Sequence, residues 1–122
     1  MAASSILVVD DDENIRQIVR LCLSDEGYRV CEAPNGAAAL EVLTDCSPQL
    51  ILLDLRMPIM NGREFAERYR TLPGPHAPIV AFVAALNVAE ECADLQTAAI
   101  ISKPFDLDDL LAAVRAQLRG VG

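Results

Sequence analysis

Residues 6–14 read ILVVDDDEN, four aliphatic residues followed at once by three aspartates and a glutamate. Neighbouring carboxylates repel one another and resist removal from water, so this arrangement costs stability unless a cation lies close by. Helix capping explains part of the pattern, because Asp12 suits an N-cap and Glu13 suits a first helical turn. It explains Asp10 and Asp11 less well, and these two residues favour a cation site at the end of a strand.

From this stretch outward, short apolar runs alternate with amphipathic segments. Five runs have the composition of strands: SILVV, YRVCEA, QLILLDL, APIVAFVA and AAIIS. Five segments have helical spacing: ENIRQIVRLCLSDEG, NGAAALEVLTDC, NGREFAERYRTL, NVAEECADL and DLDDLLAAVRAQLR. Gly27 is placed to end the first helix. Strands that alternate with helices through short loops predict an α/β fold, with a parallel sheet covered by helices on both faces. We expect residues 1–122 to form one domain.

Composition argues against two classes of partner. The formal net charge is −8, from 18 acidic and 10 basic residues, which disfavours direct binding to nucleic acid. No apolar run approaches the ~20 residues of a membrane span, and MAASS does not begin a secretory signal. We therefore expect a cytoplasmic protein that contacts neither nucleic acid nor membrane.

The 4 cysteines are scattered, at positions 22, 31, 46 and 92. Their spacing resembles no metal-binding pattern, and a reducing cytoplasm disfavours disulfides. We predict that they are small buried side chains without a disulfide.

Three of the predicted strands end in ionisable residues. The first ends at Asp10 and Asp11, the third at Asp54, and the fifth at Lys103, the only lysine of the chain. In parallel sheets ligands bind outside the carboxyl ends of the strands, so these groups should meet at one edge. Clustered carboxylates favour a hard divalent cation, and Mg²⁺ is typically held by one or two carboxylates and several waters.

Three segments, ILVVDDDENIRQIV, LILLDLRMPIMNG and SKPF, occur in an order and at a spacing that resemble the receiver domain of two-component response regulators. The resemblance covers essentially the whole chain. It implies a flavodoxin-like, doubly wound (βα)5 fold with a five-stranded parallel sheet in the order 2-1-3-4-5. It also implies a receiver domain over residues 1–122 without an effector domain.

The resemblance assigns expected roles to residues of this sequence. Asp54 matches the phosphoacceptor, and Lys103 would pair with it. Asp11 matches the main Mg²⁺ carboxylate, Asp10 would support it, and the backbone carbonyl of Arg56 would be a further ligand. The remaining matches are loop residues: Pro58, Gly62 and Pro104, the last expected after a cis peptide bond.

The implied function is signal transduction rather than catalysis of an external reaction. Asp54 would receive a phosphoryl group from a histidine kinase or phosphotransfer protein, and the surface of residues 87–119 would contact a downstream protein. An aspartate with an ordinary pKa is ionised near pH 7, so no general base is expected. His76, the only histidine, lies in the PGPHAP loop and is interpreted as a surface residue.

Two positions depart from the family pattern. Receivers usually have Thr or Ser where this sequence has Val83, and Tyr or Phe where it has Ile100. The hydroxyl and the aromatic ring through which phosphorylation is read are therefore missing. We expect acceptor chemistry to persist with a weakened conformational response.

Two alternatives remain. One is an interaction module with the receiver fold that is indifferent to phosphorylation, which Val83 and Ile100 favour. The other is a small phosphatase with Asp10 as nucleophile and Asp12 as acid, although Glu13 and Asn14 fit that motif poorly.

Overall fold

The computed structural model describes residues 4–84 and 97–119. Within these ranges the elements follow in this order: β1 (Ser5–Val9), α1 (Glu13–Asp25), β2 (Arg29–Ala33), α2 (Gly36–Val42), β3 (Leu50–Asp54), α3 (Gly62–Thr71), β4 (Ile79–Ala84), β5 (Ala99–Lys103) and α4 (Leu107–Arg119). The strands form one parallel sheet in the order β2-β1-β3-β4-β5. The predicted fold class and strand order are confirmed. The helix predicted from NVAEECADL lies outside the described residues.

The sheet separates two apolar clusters, because successive side chains of a strand point to opposite faces. On one face Leu52 of β3 belongs to a cluster with Leu110 of α4. On the other face its neighbour Leu53 belongs to a cluster with Phe65 of α3. All five residues of β3 are buried, which explains why the strand reads as an unbroken aliphatic run up to Asp54.

Side chains fix the starts of the helices next to the strand ends. Asp12 caps α1 by accepting hydrogen bonds from the backbone N–H groups of Asn14 and Ile15. Asn61 caps α3 by accepting from the N–H of Glu64. These caps satisfy N–H groups that have no partner within the helix, and so fix where each loop ends.

The prediction that the cysteines form no disulfide is wrong for one pair. Cys31 of β2 and Cys46, which follows α2, are joined by a disulfide. The 15-residue separation gave no sign of this pairing, because it depends on how α2 returns the chain to the edge strand. Cys22 is a free, half-buried thiol, and Cys92 lies outside the described residues.

Within residues 4–84 and 97–119, no helix has both the length and the apolar character needed to cross a bilayer.

Candidate functional site

Three aspartates meet where β1 and β3 end. These strands are neighbours, and their last paired positions are Val9 and Leu53. Asp10, Asp11 and Asp54 each place a carboxylate oxygen within 4.8 Å of the other two. Asp10 is fully buried, Asp54 is 7% exposed, and Asp11 lies on the exposed rim. Solvent therefore reaches the cluster from the side of Asp11 and is excluded from the side of Asp10.

Lys103 completes the cluster from β5. Its Nζ donates a hydrogen bond to Oδ2 of Asp10 at 2.8 Å and lies 3.5 Å from Oδ2 of Asp54. The sequence predicted pairing with Asp54, whereas the shorter contact is to Asp10. Burial gives the reason, because the Asp10 carboxylate has no access to water and needs protein donors. The peptide bond between Lys103 and Pro104 is cis, as the resemblance implies.

Every backbone and side-chain polar group of Asp10 makes a hydrogen bond. Its N–H donates to the carbonyl of Ala33, and its Oδ1 accepts from the N–H of Asp12 at 2.9 Å. Its backbone carbonyl accepts a hydrogen bond from Nη1 of Arg16 at 2.7 Å. Arg16 was missed by the sequence analysis. Its position next to Ile15 and three residues before Val19 was the available signal, because that spacing turns it toward the sheet.

The loop between β3 and α3 packs tightly against the end of β3. The N–H of Arg56 donates to Oδ1 of Asp54 at 3.3 Å, and the N–H of Gly62 donates to the carbonyl of Leu55. A Cβ atom at Gly62 would lie 2.4 Å from the carbonyl oxygen of Asp54. Only glycine permits this approach. Pro58 is exposed on the same loop, beside an open depression of about 430 Å³ that is also lined by Asp11.

Comparison with known proteins identifies the family. Residues 6–115 match the family model of the response regulator receiver domain. The chain belongs to this family. The resemblance noted in the sequence is therefore confirmed.

Individual relatives agree with this assignment. The response regulator MprA of Mycobacterium sp. (strain KMS) is 40% identical over 116 residues, which are 93% of this chain and 50% of the relative. The chain thus spans about half the length of the curated relatives it matches. The chemotaxis response regulator CheY4 of Vibrio cholerae has 29% identity and a TM-score of 0.86, with 95% of this chain and 99% of that chain covered. The response regulator TrrA of Thermotoga maritima, solved in complex with Mg(2+)-BeF, has 31% identity and a TM-score of 0.82, with 94% and 99% covered.

Burial and neighbouring charge alter the acceptor candidate of this receiver domain. Burial and the charge of Asp10 raise the pKa of Asp54 from 3.8 to about 7, against the opposing effects of Lys103 and the Arg56 N–H group. The expectation of an ordinary pKa was wrong because the sequence does not reveal how deeply Asp54 lies. With no metal bound, Asp54 is therefore partly protonated near neutral pH.

The pKa of Lys103 is also raised, which for an ammonium group favours the charged form. Burial by itself lowers the pKa of Lys103, but the hydrogen bond and charge of Asp10, with a further contribution from Asp54, raise it overall. Lys103 therefore remains a cation throughout the neutral range. Two carboxylates, those of Asp10 and Asp54, contact this one ammonium group, and the carboxylate of Asp11 lies close to both of them.

The donor set of the receiver domain fits Mg²⁺. Hard oxygen donors from Asp10, Asp11 and Asp54 lie close enough together to hold one ion. Burial is the main cause of the raised pKa of Asp54, and the repulsion from Asp10 raises this pKa further than the attraction of Lys103 lowers it, which leaves an electrostatic imbalance. A divalent cation would remove this imbalance, and Asp11 leaves the cluster open for its waters.

The two unusual positions lie on adjacent strands. Val83 is 1% exposed and packs in the same cluster as Leu53, whereas Ile100 of β5 is 41% exposed. Ile100 is paired with Ala81, and Val83 is paired with Ser102. By strand alternation, Val83 and Ile100 lie on the face opposite to that of Asp54 and Lys103.

The phosphatase interpretation and His76 remain to be placed. The phosphatase interpretation needs Asp10 as an accessible nucleophile and Asp12 as an acid, but Asp10 is fully buried and Asp12 is engaged as the cap of α1. His76 lies before β4, at the opposite end of the sheet, and its Nε2 is 2.7 Å from the carbonyl oxygen of Leu72.

Proposed function

We propose that this receiver domain accepts a phosphoryl group on Asp54 from a histidine kinase or phosphotransfer protein, with Mg²⁺ as cofactor. One observation carries the proposal. Asp54 ends the central strand 3.5 Å from Lys103 and shares an oxygen cluster with Asp10 and Asp11. This arrangement supplies a carboxyl nucleophile that a bound cation would favour in its ionised form, a fixed ammonium group and a place for a metal, which are the parts that phosphoryl transfer needs.

The transfer step requires positioning and charge more than acid–base chemistry. A carboxylate oxygen of Asp54 forms a bond to phosphorus while the phosphorus–nitrogen bond of a phosphohistidine breaks. The electron pair returns to the imidazole, which takes up a proton from solvent. Lys103 neutralises negative charge on an oxygen of the transferred group. The domain catalyses at most its own phosphorylation and dephosphorylation.

Asp11, Asp54, Asp10 and the backbone carbonyl of Arg56 would hold the Mg²⁺ ion. When bound, the ion supplies positive charge that stabilises the anionic oxygens of the phosphoryl group. Asp11 makes the site accessible, and buried Asp10 holds Lys103 beside Asp54.

Intact-mass measurement after incubation with acetyl phosphate and Mg²⁺ tests the proposal. The wild-type protein should gain one phosphoryl group, and Asp54→Asn should gain none. Asp11→Ala should also gain none while remaining folded, because Asp11 is exposed and its loss relieves repulsion between like charges. Phosphorylation of Asp54→Asn at the wild-type rate would show that the acceptor is another residue.

A second candidate is an interaction module that is indifferent to phosphorylation. The buried methyl groups of Val83 favour it, because they offer no hydrogen-bond donor to a phosphoryl group. Beryllofluoride, a phosphoryl mimic, separates the candidates. The module would show shifts confined to the aspartate cluster, whereas a signalling receiver would also show shifts in β5 and α4.

The proposed partners are proteins. Residues 1–122 would act as one receiver unit whose output surface lies within residues 87–119, of which the structure describes 97–119. The net charge of −8 disfavours direct contact with nucleic acid.

A further inference from the structure

Arg16 connects three elements that meet at the aspartate cluster. It lies in α1, and its Nη1 donates to the backbone carbonyl of Asp10 at the end of β1, at 2.7 Å. Its Nε lies 3.5 Å from a carboxylate oxygen of Glu32 in β2. The side chain is only 16% exposed. Arg16 is thus a largely covered link between these elements rather than a solvated surface charge.

The carbonyl that Arg16 holds belongs to the peptide group between Asp10 and Asp11. A peptide group is planar, so fixing its oxygen also fixes its N–H and the direction in which the chain leaves toward the next Cα. The other polar groups of Asp10 are held by Ala33, Asp12 and Lys103. Asp11 is exposed, and the preceding peptide therefore has a large influence on where its carboxylate lies.

An arginine suits this position because it serves two acceptors in different directions. The planar guanidinium presents Nη1 to the carbonyl of Asp10 and Nε to Glu32. Glu32 is also paired with Arg20, whose Nε lies 2.9 Å from its second oxygen. Glu32 is therefore held in place by α1 at two points, and it holds the guanidinium of Arg16.

We infer that Arg16 is a positioning residue that orients the Asp10–Asp11 peptide and so presents the Asp11 carboxylate to Mg²⁺. This inference rests on the proposed function. Groups that orient a metal ligand from outside typically alter metal affinity ~10–100-fold when they are removed. The effect should appear in Mg²⁺ affinity and should not appear in the chemistry of Asp54.

The test is a Mg²⁺ titration of the amide chemical shifts in four proteins. Compared with the wild type, Arg16→Gln should bind Mg²⁺ about 10-fold more weakly. Arg16→Lys should lie between them, because an ammonium group can still donate to the carbonyl of Asp10. Arg20→Gln is the matched control. Arg20 pairs with the same Glu32 from the same helix but makes no hydrogen bond to Asp10 among the described residues, so its loss acts only indirectly, through Glu32, and should weaken Mg²⁺ binding much less than the loss of Arg16.

A second measurement separates positioning from general damage. The rate of phosphorylation by acetyl phosphate should fall in Arg16→Gln at low Mg²⁺ and recover at saturating Mg²⁺. Urea unfolding establishes that each variant is folded. If Arg16→Gln does not fold, the comparison of Arg16→Lys with Arg20→Gln decides alone.

Four results would overturn the inference. If a folded Arg16→Gln or Arg16→Lys variant binds Mg²⁺ as tightly as the wild type, Arg16 has no positioning role, while the proposed function stays intact. Equal weakening in Arg20→Gln, or a rate that stays low at saturating Mg²⁺, would assign the effect to something other than the Asp10–Asp11 peptide. A wild-type protein that binds no Mg²⁺ would overturn the proposed function as well.

Discussion

Asp54 is the residue at which burial, charge and function conflict most directly. It lies at the end of a strand that is buried along its whole length, and burial is the largest cause of its raised pKa. The fully buried Asp10 adds repulsion, and Lys103 only partly offsets it. The Asp54 carboxylate therefore destabilises the domain when it is ionised and no metal is bound.

This conflict predicts how stability depends on pH in the absence of metal. Between pH 3.8 and about 7, folded Asp54 keeps a proton that the unfolded chain has lost. The free energy of unfolding should therefore fall as pH rises through this range, by roughly 2 kcal/mol between pH 5 and 7.5. Asp54→Asn cannot ionise, so it should be more stable than wild type at pH 7.5, with a smaller difference at pH 5.

Urea unfolding in the presence of a chelator measures both proteins at the two pH values. The other titrating groups are common to both, so the difference between the two proteins isolates Asp54. A difference that is independent of pH would mean that Asp54 is already ionised at pH 5.

At the scale of elements, the loop between β3 and α3 contains an unfavourable backbone conformation. Ile59 has a φ of 69°, a region that β-branched residues rarely adopt, and its side chain is 82% exposed. Packing of this exposed side chain therefore does little to offset the unfavourable backbone conformation. Two backbone hydrogen bonds hold the loop in this shape. The N–H of Gly62 donates to the carbonyl of Leu55, and the N–H of Gly36 at the start of α2 donates to the carbonyl of Met60.

Replacing Ile59 with glycine should stabilise the domain. The gain from relieving the backbone exceeds the entropy that glycine loses on folding, and we expect a net increase of about 1 kcal/mol in unfolding free energy. Leu72→Gly is the control, because Leu72 is also exposed, at 41%, but has an ordinary φ of −72°. That variant should lose stability. If Ile59→Gly loses as much as Leu72→Gly in urea unfolding, the positive φ carries no cost.

The disulfide between Cys31 and Cys46 links the edge strand β2 to the chain that follows α2. A cross-link over 15 residues restricts the unfolded chain, so reduction should lower the unfolding free energy by about 2–3 kcal/mol. The double variant Cys31→Ser with Cys46→Ser should resemble the reduced wild type and should not respond to reductant. Cys22→Ser should respond as the wild type does. A wild-type unfolding curve unaffected by reductant would show that the two thiols are not joined in solution.

At the scale of the whole molecule, the central question is how a change at Asp54 reaches the surface of β5 and α4. A ligand shifts a conformational equilibrium only by its different interactions with the two states. Val83 is buried without a hydroxyl, and Ile100 has no aromatic ring. Within the described residues, Lys103 is the side chain that connects Asp54 to β5.

Phosphorylation should therefore proceed with a small response in residues 97–119. The double variant Val83→Thr with Ile100→Tyr should enlarge it, because a hydrogen bond to a charged acceptor contributes roughly 1.5–3 kcal/mol. Amide chemical-shift changes on adding beryllofluoride and Mg²⁺ measure the response in both proteins. A wild-type response as large as that of the double variant would place the coupling in another group.

The sequence predicts the architecture of this molecule better than the details of its site. Aliphatic runs such as ILLDL and the glycine at position 27 indicate strands and helix ends directly, because local periodicity and backbone preference decide them. The hydrogen bond from Lys103 to Asp10, the role of Arg16 and the contact between Cys31 and Cys46 depend on distances between elements. No local pattern encodes those distances.

The two faces of the sheet have a consequence for how such a protein can vary over generations. Asp54 and Lys103 face α1 and α4, whereas Val83 and Ile100 lie on the other side of the same strands. A substitution that alters the response can therefore be inherited without disturbing the carboxylates and the ammonium group. The residues at positions 83 and 100 could thus be exchanged by mutation while the aspartate cluster and Lys103 keep their positions.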